Sequence, residues 1–193
     1  MSLCAHAVLD FWFLPRHDPA HGEARKEWFS KDAGFDAQIA RRFGSVIEGA
    51  LDGAFREWAA EPEGALAYIL VLDQFTRNVF RDTARAFAGD RLALAAAEAL
   101  VADGDDKRLS PAMRVFAYLP FEHAESVAHQ DRAVTLFGLL AAQWPQAAPY
   151  LDYARRHRDV ILRFGRFPHR NAQLGRATTE VERHYLAQPG AGF

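Results

Sequence analysis

Three clusters of polar residues stand where the surrounding sequence calls for apolar ones. The stretch RFGRFPHRN, Arg163 to Asn171, places three arginines, a histidine and an asparagine beside two phenylalanines. FEHAES, Phe121 to Ser126, brings Glu122, His123 and Glu125 together after the apolar turn VFAYL. In the apolar run EGALAYILVLDQF, the helical stripe Leu66, Ile69, Leu70 continues into Asp73 and Arg77, with Asn78 and Arg81 just beyond. Carboxylates, imidazoles and guanidiniums of this kind do acid/base work, bind anions, or pair with one another.

The spacing limits which chemistry is available. Glu122 and His123 are chain neighbours and point about 100° apart on a helix, so a folded partner has to bridge them before they act as a dyad. Asp73 and Arg77, four residues apart, can pair directly. From Val160 to Thr179 there is no acid, yet Arg163, Arg166, His169, Arg170 and Arg176 fall there. These cations face water, find carboxylates such as Asp73, Glu122 and Glu125, or hold an anionic ligand.

The plain reading is a polar clasp, with arginines of one helix end bonded to acids and carbonyls of others. The functional reading is a pocket where surplus arginines and His123 or His169 meet a carboxylate or phosphate. The candidate ligand-binding set is Asp73, Arg77, Asn78, Glu125, Arg163, Arg166, His169, Arg170 and Asn171; Glu122 and His123 are the candidate acid/base pair. His157 lies on the apolar face of its own helix. No metal site is expected, since HExxH and paired ExxH patterns are missing, and GxSxG and GxxxxGK are missing too. No cofactor is implied.

Positioning these groups falls to helices. The 193 residues are 50% hydrophobic and 25% charged, with 15 phenylalanines and 4 tryptophans, enough for one domain with a substantial core. Apolar residues recur at helical spacing and no stretch alternates with a period of two, so the expected fold is all-α, a single all-helical domain over residues 1–193. Short turns between helices fit antiparallel helical hairpins packed side by side.

Local signals mark the helix ends. Asp73 and Arg77 ride on a helix opened by Pro62. Gly104 ends one helix, and Ser110 with Pro111 opens the next, which Pro120 is expected to break. Ser126 is a candidate cap. A long helix from about Tyr150 to Phe164 stops at Gly165 to Pro168, and Thr179 with Glu182 has capping-box spacing.

The net charge of -2 offers no global field for nucleic acid or anionic lipid, so neither nucleic acid nor membrane is an expected partner. Ala65 to Leu72, the longest apolar run, is far below the ~20 residues of a membrane span. The single cysteine, Cys4, and the lack of a cationic leader fit a cytoplasmic protein.

The chain resembles the domain of unknown function 924 family of mainly bacterial proteins. The resemblance rests on VLDFWF from Val8, WFSKD from Trp28, LDQFTRN from Leu72, ARAFAGD from Ala84, YLPFEHAE from Tyr118 and RFGRFPHRNAQLGR from Arg163. It implies a tetratricopeptide-like fold of helical hairpins and carries over no catalytic residue. Thr76 stands where the family pattern usually has proline, Ala124 where serine is usual, and Val181 where a second glutamate is common.

The expected function is binding of a small anionic molecule or a peptide at the arginine-rich cluster. The alternatives are a hydrolase or transferase on an anionic substrate, with Glu122 or His123 as acid/base, and clusters that are purely structural.

Overall fold

The computed structural model describes residues 3–192, with only the backbone of Leu3, and every regular element among them is helical. In chain order these are α1 (Leu3–Phe13), α2 (Ala33–Leu51), α3 (Pro62–Ile69), a π-helical segment (Leu70–Phe75), α4 (Thr76–Val79), α5 (Asp90–Ala102), α6 (Pro111–His123), α7 (Val127–Gln143), α8 (Ala148–Phe164) and α9 (Glu180–Leu186). Short 3-10 turns join several of them. None of these helices is long and apolar enough to cross a membrane. The chain divides into two compact units, Met1–Arg81 with Arg85–Pro120, and Asp82–Ala84 with Phe121–Phe193.

The first unit is built on aromatic packing. α2 starts where the Asp32 carboxylate accepts the Phe35 N–H at 3.0 Å, and its buried stripe is Phe35, Ile39, Phe43, Val46, Ile47 and Ala50. Phe35 stacks on Phe11 of α1 at 5.0 Å, and Phe43 meets Phe75 at 5.1 Å. Phe116 meets Trp12 and Trp28 edge to face while the two indoles stack, and the Trp28 indole donates to the Trp12 carbonyl at 2.9 Å.

The central helix is buried on all sides and interrupted. Pro62 opens α3 as expected. A side chain at Gly64 would lie 2.0 Å from the Trp58 carbonyl, so only glycine allows that approach. A π-helical segment follows, Leu70–Phe75, which the residue spacing does not predict. Within it the Leu72 carbonyl accepts the Thr76 hydroxyl at 2.7 Å, and a Cβ on Gly89 would come within 2.2 Å of the same oxygen. Threonine at position 76 therefore supplies a donor that proline lacks.

Two local expectations need correction. Pro120 does not break the helix at YLPFEH; it lies inside α6, which runs on to His123. Proline costs only one N–H there, and the helix ends three residues later. Ser126 occupies the cap position of α7, but its side chain makes no capping bond.

In the second unit, α7 and α8 are joined by the turn Pro145–Ala147 and pack along each other as a helical hairpin. Gly165, at φ 69°, ends α8 in the left-handed conformation. Beyond it Phe167 is fully buried with Val160 and Ile161, and Phe164 and Tyr185 pack against them. Thr179 and Glu182 form the complete capping box of α9.

Candidate functional site

In the first unit the π-helical segment places Asp73 in full burial. Its carboxylate accepts the Gln74 amide at 2.6 Å and lies 3.1 Å from Arg77 Nη1, which also donates to the Asp73 carbonyl. Arg77 Nη2 lies 3.0 Å from Asp90. Burial disfavours the Arg77 charge, but Asp73 and Asp90 outweigh it and raise the pKa. Asn78 donates to Asp36 at 2.7 Å, and Arg81 holds the same carboxylate with two nitrogens. Asp73 and Arg77 thus pair directly, with Asp90 as a second acid on Arg77, while Asn78 is engaged by an acid of α2.

In the second unit a continuous polar chain ties the end of α8 to α9 and to the turn after α6. Arg166 donates to Glu182 through Nε at 2.7 Å and Nη2 at 2.9 Å, and to the Ala177 carbonyl at 2.8 Å. Glu182 also accepts the Thr179 N–H at 2.7 Å and the Asn171 amide at 3.3 Å. Asn171 in turn accepts from Arg176 Nε at 3.0 Å. Arg176 grips Glu125 with both terminal nitrogens, at 2.6 and 3.0 Å.

Phe167 is where this clasp closes. Its N–H donates to Glu125 at 2.8 Å, and its carbonyl accepts from Arg176 at 3.0 Å. One ion pair therefore satisfies both backbone groups of a buried residue. The Arg166 bonds hold the Glu182 pKa down to about 2. Burial alone would raise the Glu125 pKa, but Arg176 and the Phe167 N–H outweigh it and lower it.

Around the Phe167 ring lies a second, imidazole-rich layer. Gln130 Nε2 donates to the carbonyls of Glu122 and Ala124 at 2.6 and 2.8 Å, satisfying acceptors at the end of α6. His157 of α8 places Nδ1 at 3.1 Å from Glu122 Oε1 and 2.9 Å from the Tyr153 carbonyl. Its ring centroid is 6.3 Å from that of His123 and 5.5 Å from Phe167. His169 lies 5.5 Å from Phe167, and the Arg170 guanidinium stands over that ring at 4.5 Å.

This layer is short of water. Glu122, His157, Arg170 and Asn171 are all buried. Burial, followed by the charge of His123, depresses the His157 pKa to about 3, against the opposing Tyr153 bond. Burial and then Arg170 and His123 depress His169 to about 4, with Glu125 pulling the other way. His157, which sequence spacing placed on an apolar face, is thus the group beside Glu122. Only the fold brings α8 to the end of α6.

Arg163 stands apart from the clasp and the imidazoles. It is exposed, with its guanidinium 4.7 Å over Phe164 and 5.9 Å from the Tyr185 ring. Arg176 and Glu182 were visible as the last cation of an acid-free stretch and as a capping acid, but not as partners of Glu125 and Arg166. Asp36 and Asp90 carried no signal beyond helix starts. Among the described residues no group of three His, Cys, Asp or Glu side chains is placed to hold a metal ion.

Fold and site together define an all-helical protein whose arginines and acids are laced into clasps, one of them framing a buried imidazole cluster. The chain belongs to the family described as Bacterial protein of unknown function (DUF924), whose model matches residues 8–190. It is also similar to a solved structure, that of protein of unknown function ATU0120 from Agrobacterium tumefaciens. The two are 42% identical with a TM-score of 0.83, over 95% of this chain and 96% of that one. A search of curated proteins found no match.

Proposed function

We propose that the second unit binds a small molecule through an anionic group, received by Arg170 and the imidazoles of His123, His157 and His169 around Phe167. The observation that carries this reading is the buried Arg170 guanidinium, 4.5 Å over the Phe167 ring against which His157 and His169 also lie. Arg170 and His123 weigh more heavily on the His169 imidazole than Glu125 does, and the ring is held uncharged. Arg170 is a buried cation beside these rings, and an anion received there would favour protonation of the neighbouring imidazoles. Arg166, Arg176, Glu125 and Asn171 form the frame of this site, bonding one another or Glu182. A tetratricopeptide-like arrangement is supported by the α7–α8 hairpin, and a cytoplasmic location by the single cysteine and the charge balance.

The test is a thermal-shift panel of phosphate, sulfate and short mono- and dicarboxylates against the wild type and Arg170→Gln. An anion that raises the wild-type Tm and leaves the variant unmoved supports the reading, since a ligand binding only the folded state stabilises it by mass action. A wild type that responds to none of them overturns it.

One observation favours an enzyme as the second reading. A carboxyl group against a ring N–H of histidine is the arrangement that orients a general base, and Glu122 stands so against His157. Conversion of a bound anion by the wild type, detected by mass spectrometry and lost in His157→Asn, would establish it.

A further inference from the structure

We infer that the segment 188–192 is a strap that covers His169 and limits access from solvent to that side of the imidazole cluster. The inference rests on the reading above for its functional meaning, but its geometry stands separately. After α9 the chain turns back through Gln188 N–H to the Tyr185 carbonyl at 3.0 Å and Ala191 N–H to the Gln188 carbonyl at 3.2 Å. Gly190 and Gly192, at φ 75° and 95°, take conformations that side chains resist. Gly192 lies beside the His169 side chain. A Cβ there would lie 3.1 Å from His169 Cβ and 3.6 Å from its Cγ.

The strap spans a gap rather than packing into one. A cavity of about 210 Å³ lies between it and the helices, with Val160, Asp159 and Tyr185 among its walls and Pro189 and Gly190 on the strap side. Arg156 of α8 reaches the Gly190 carbonyl at 3.5 Å, the long limit of a hydrogen bond. Residues 188–190 are exposed. An exposed terminal segment beside an open pocket opens at a small fraction of the cost of global unfolding. His169 is half-buried, and Gly192 is the strap residue placed beside it.

Carbethoxylation by diethylpyrocarbonate, read by mass spectrometry on the peptide carrying His169, tests the strap without any ligand. The exposed His17 serves as the internal reference. Two variants are compared with the wild type: one lacking residues 188–193, and Gly192→Val, whose side chain would both strain the backbone and meet His169. We expect His169 to react several-fold faster in each folded variant relative to His17. Should the deletion fail to fold, Gly192→Val decides. Equal His169 rates in wild type and variants overturn the strap, whatever the anion panel shows. Faster His169 labelling with no anion response would leave the strap standing and sink the binding reading.

Discussion

Arg166 meets Glu182 through two parallel contacts, Nε to Oε1 at 2.7 Å and Nη2 to Oε2 at 2.9 Å, and the carboxylate is 3% exposed. The arginine is the more solvated partner, with a side chain 29% exposed. Removing it leaves a buried acid short of two donors, which costs more than losing an exposed charge. We therefore expect Arg166→Ala to lower the Tm more than Arg155→Ala at an exposed position of α8, by about 3 °C or more. Equal melting temperatures in the two variants would contradict a structural role for the pair.

The same carboxylate sets an acid limit. The folded-state pKa of Glu182 is about 2, below the ordinary 4.5, so its contribution to stability is present above about 4.5 and is lost as pH falls towards 2. Glu182→Gln should be less stable than the wild type at neutral pH, and the gap should close across that window. Melting curves of both proteins over the pH range are the check, and a gap independent of pH would exclude the linkage.

A second window belongs to the imidazoles. His157 and His169 have folded-state values near 3 and 4, both depressed from 6.5, so the unfolded chain binds more protons once the pH drops below 6.5. The stability they confer is intact above 6.5 and declines as the pH falls through the depressed values. Urea denaturation near pH 7 and near pH 5 should show a larger loss for the wild type than for His157→Asn. An equal loss in both would mean that His157 is not held neutral by the fold.

Glycine positions separate space from propensity. Gly89→Ala drives a methyl group to within 2.2 Å of the Leu72 carbonyl on the π-helical segment, and should destabilise strongly while shifting Asp90 from Arg77. Gly44, inside α2, has nothing within 4 Å of its added Cβ. Gly44→Ala should stabilise by about 0.5–1 kcal/mol through helix propensity alone. Thermal melts of the two variants, with opposite signs expected, decide the matter.

We also expect the chain to unfold as one domain. α6 carries residues of both compact units, and no Gly- or Ser-rich linker separates them. A single calorimetric transition with equal calorimetric and van't Hoff enthalpies is the expected result, and two resolved transitions would refute it.

Much of the secondary structure was legible because its signals are local. The stripe of α2, the Pro62 start, the stops at Gly104 and Gly165 and the Thr179–Glu182 box each depend on residues a turn or so apart. Where two local preferences compete, residue types alone do not decide the outcome. Pro120 reads as a breaker, yet only three residues of α6 remain beyond it. The π-helical segment adds no residue type of its own to a run of Leu, Val and Phe, and the packing of Gly89 against Leu72 is a tertiary fact.

Charge was legible as a surplus but not as a set of pairs. By itself the sequence determined that this chain is helical, that aromatics fill its core, and that the acid-free stretch around RFGRFPHRN needs partners from elsewhere, since helix periodicity and composition are properties of neighbouring residues. Only the tertiary structure decided which partners those are. Glu125 meets Arg176 across 51 residues and Arg166 meets Glu182 across 16, while His157 reaches Glu122 from another helix. Such pairings depend on how whole helices pack, and no period of 3.6 residues encodes that.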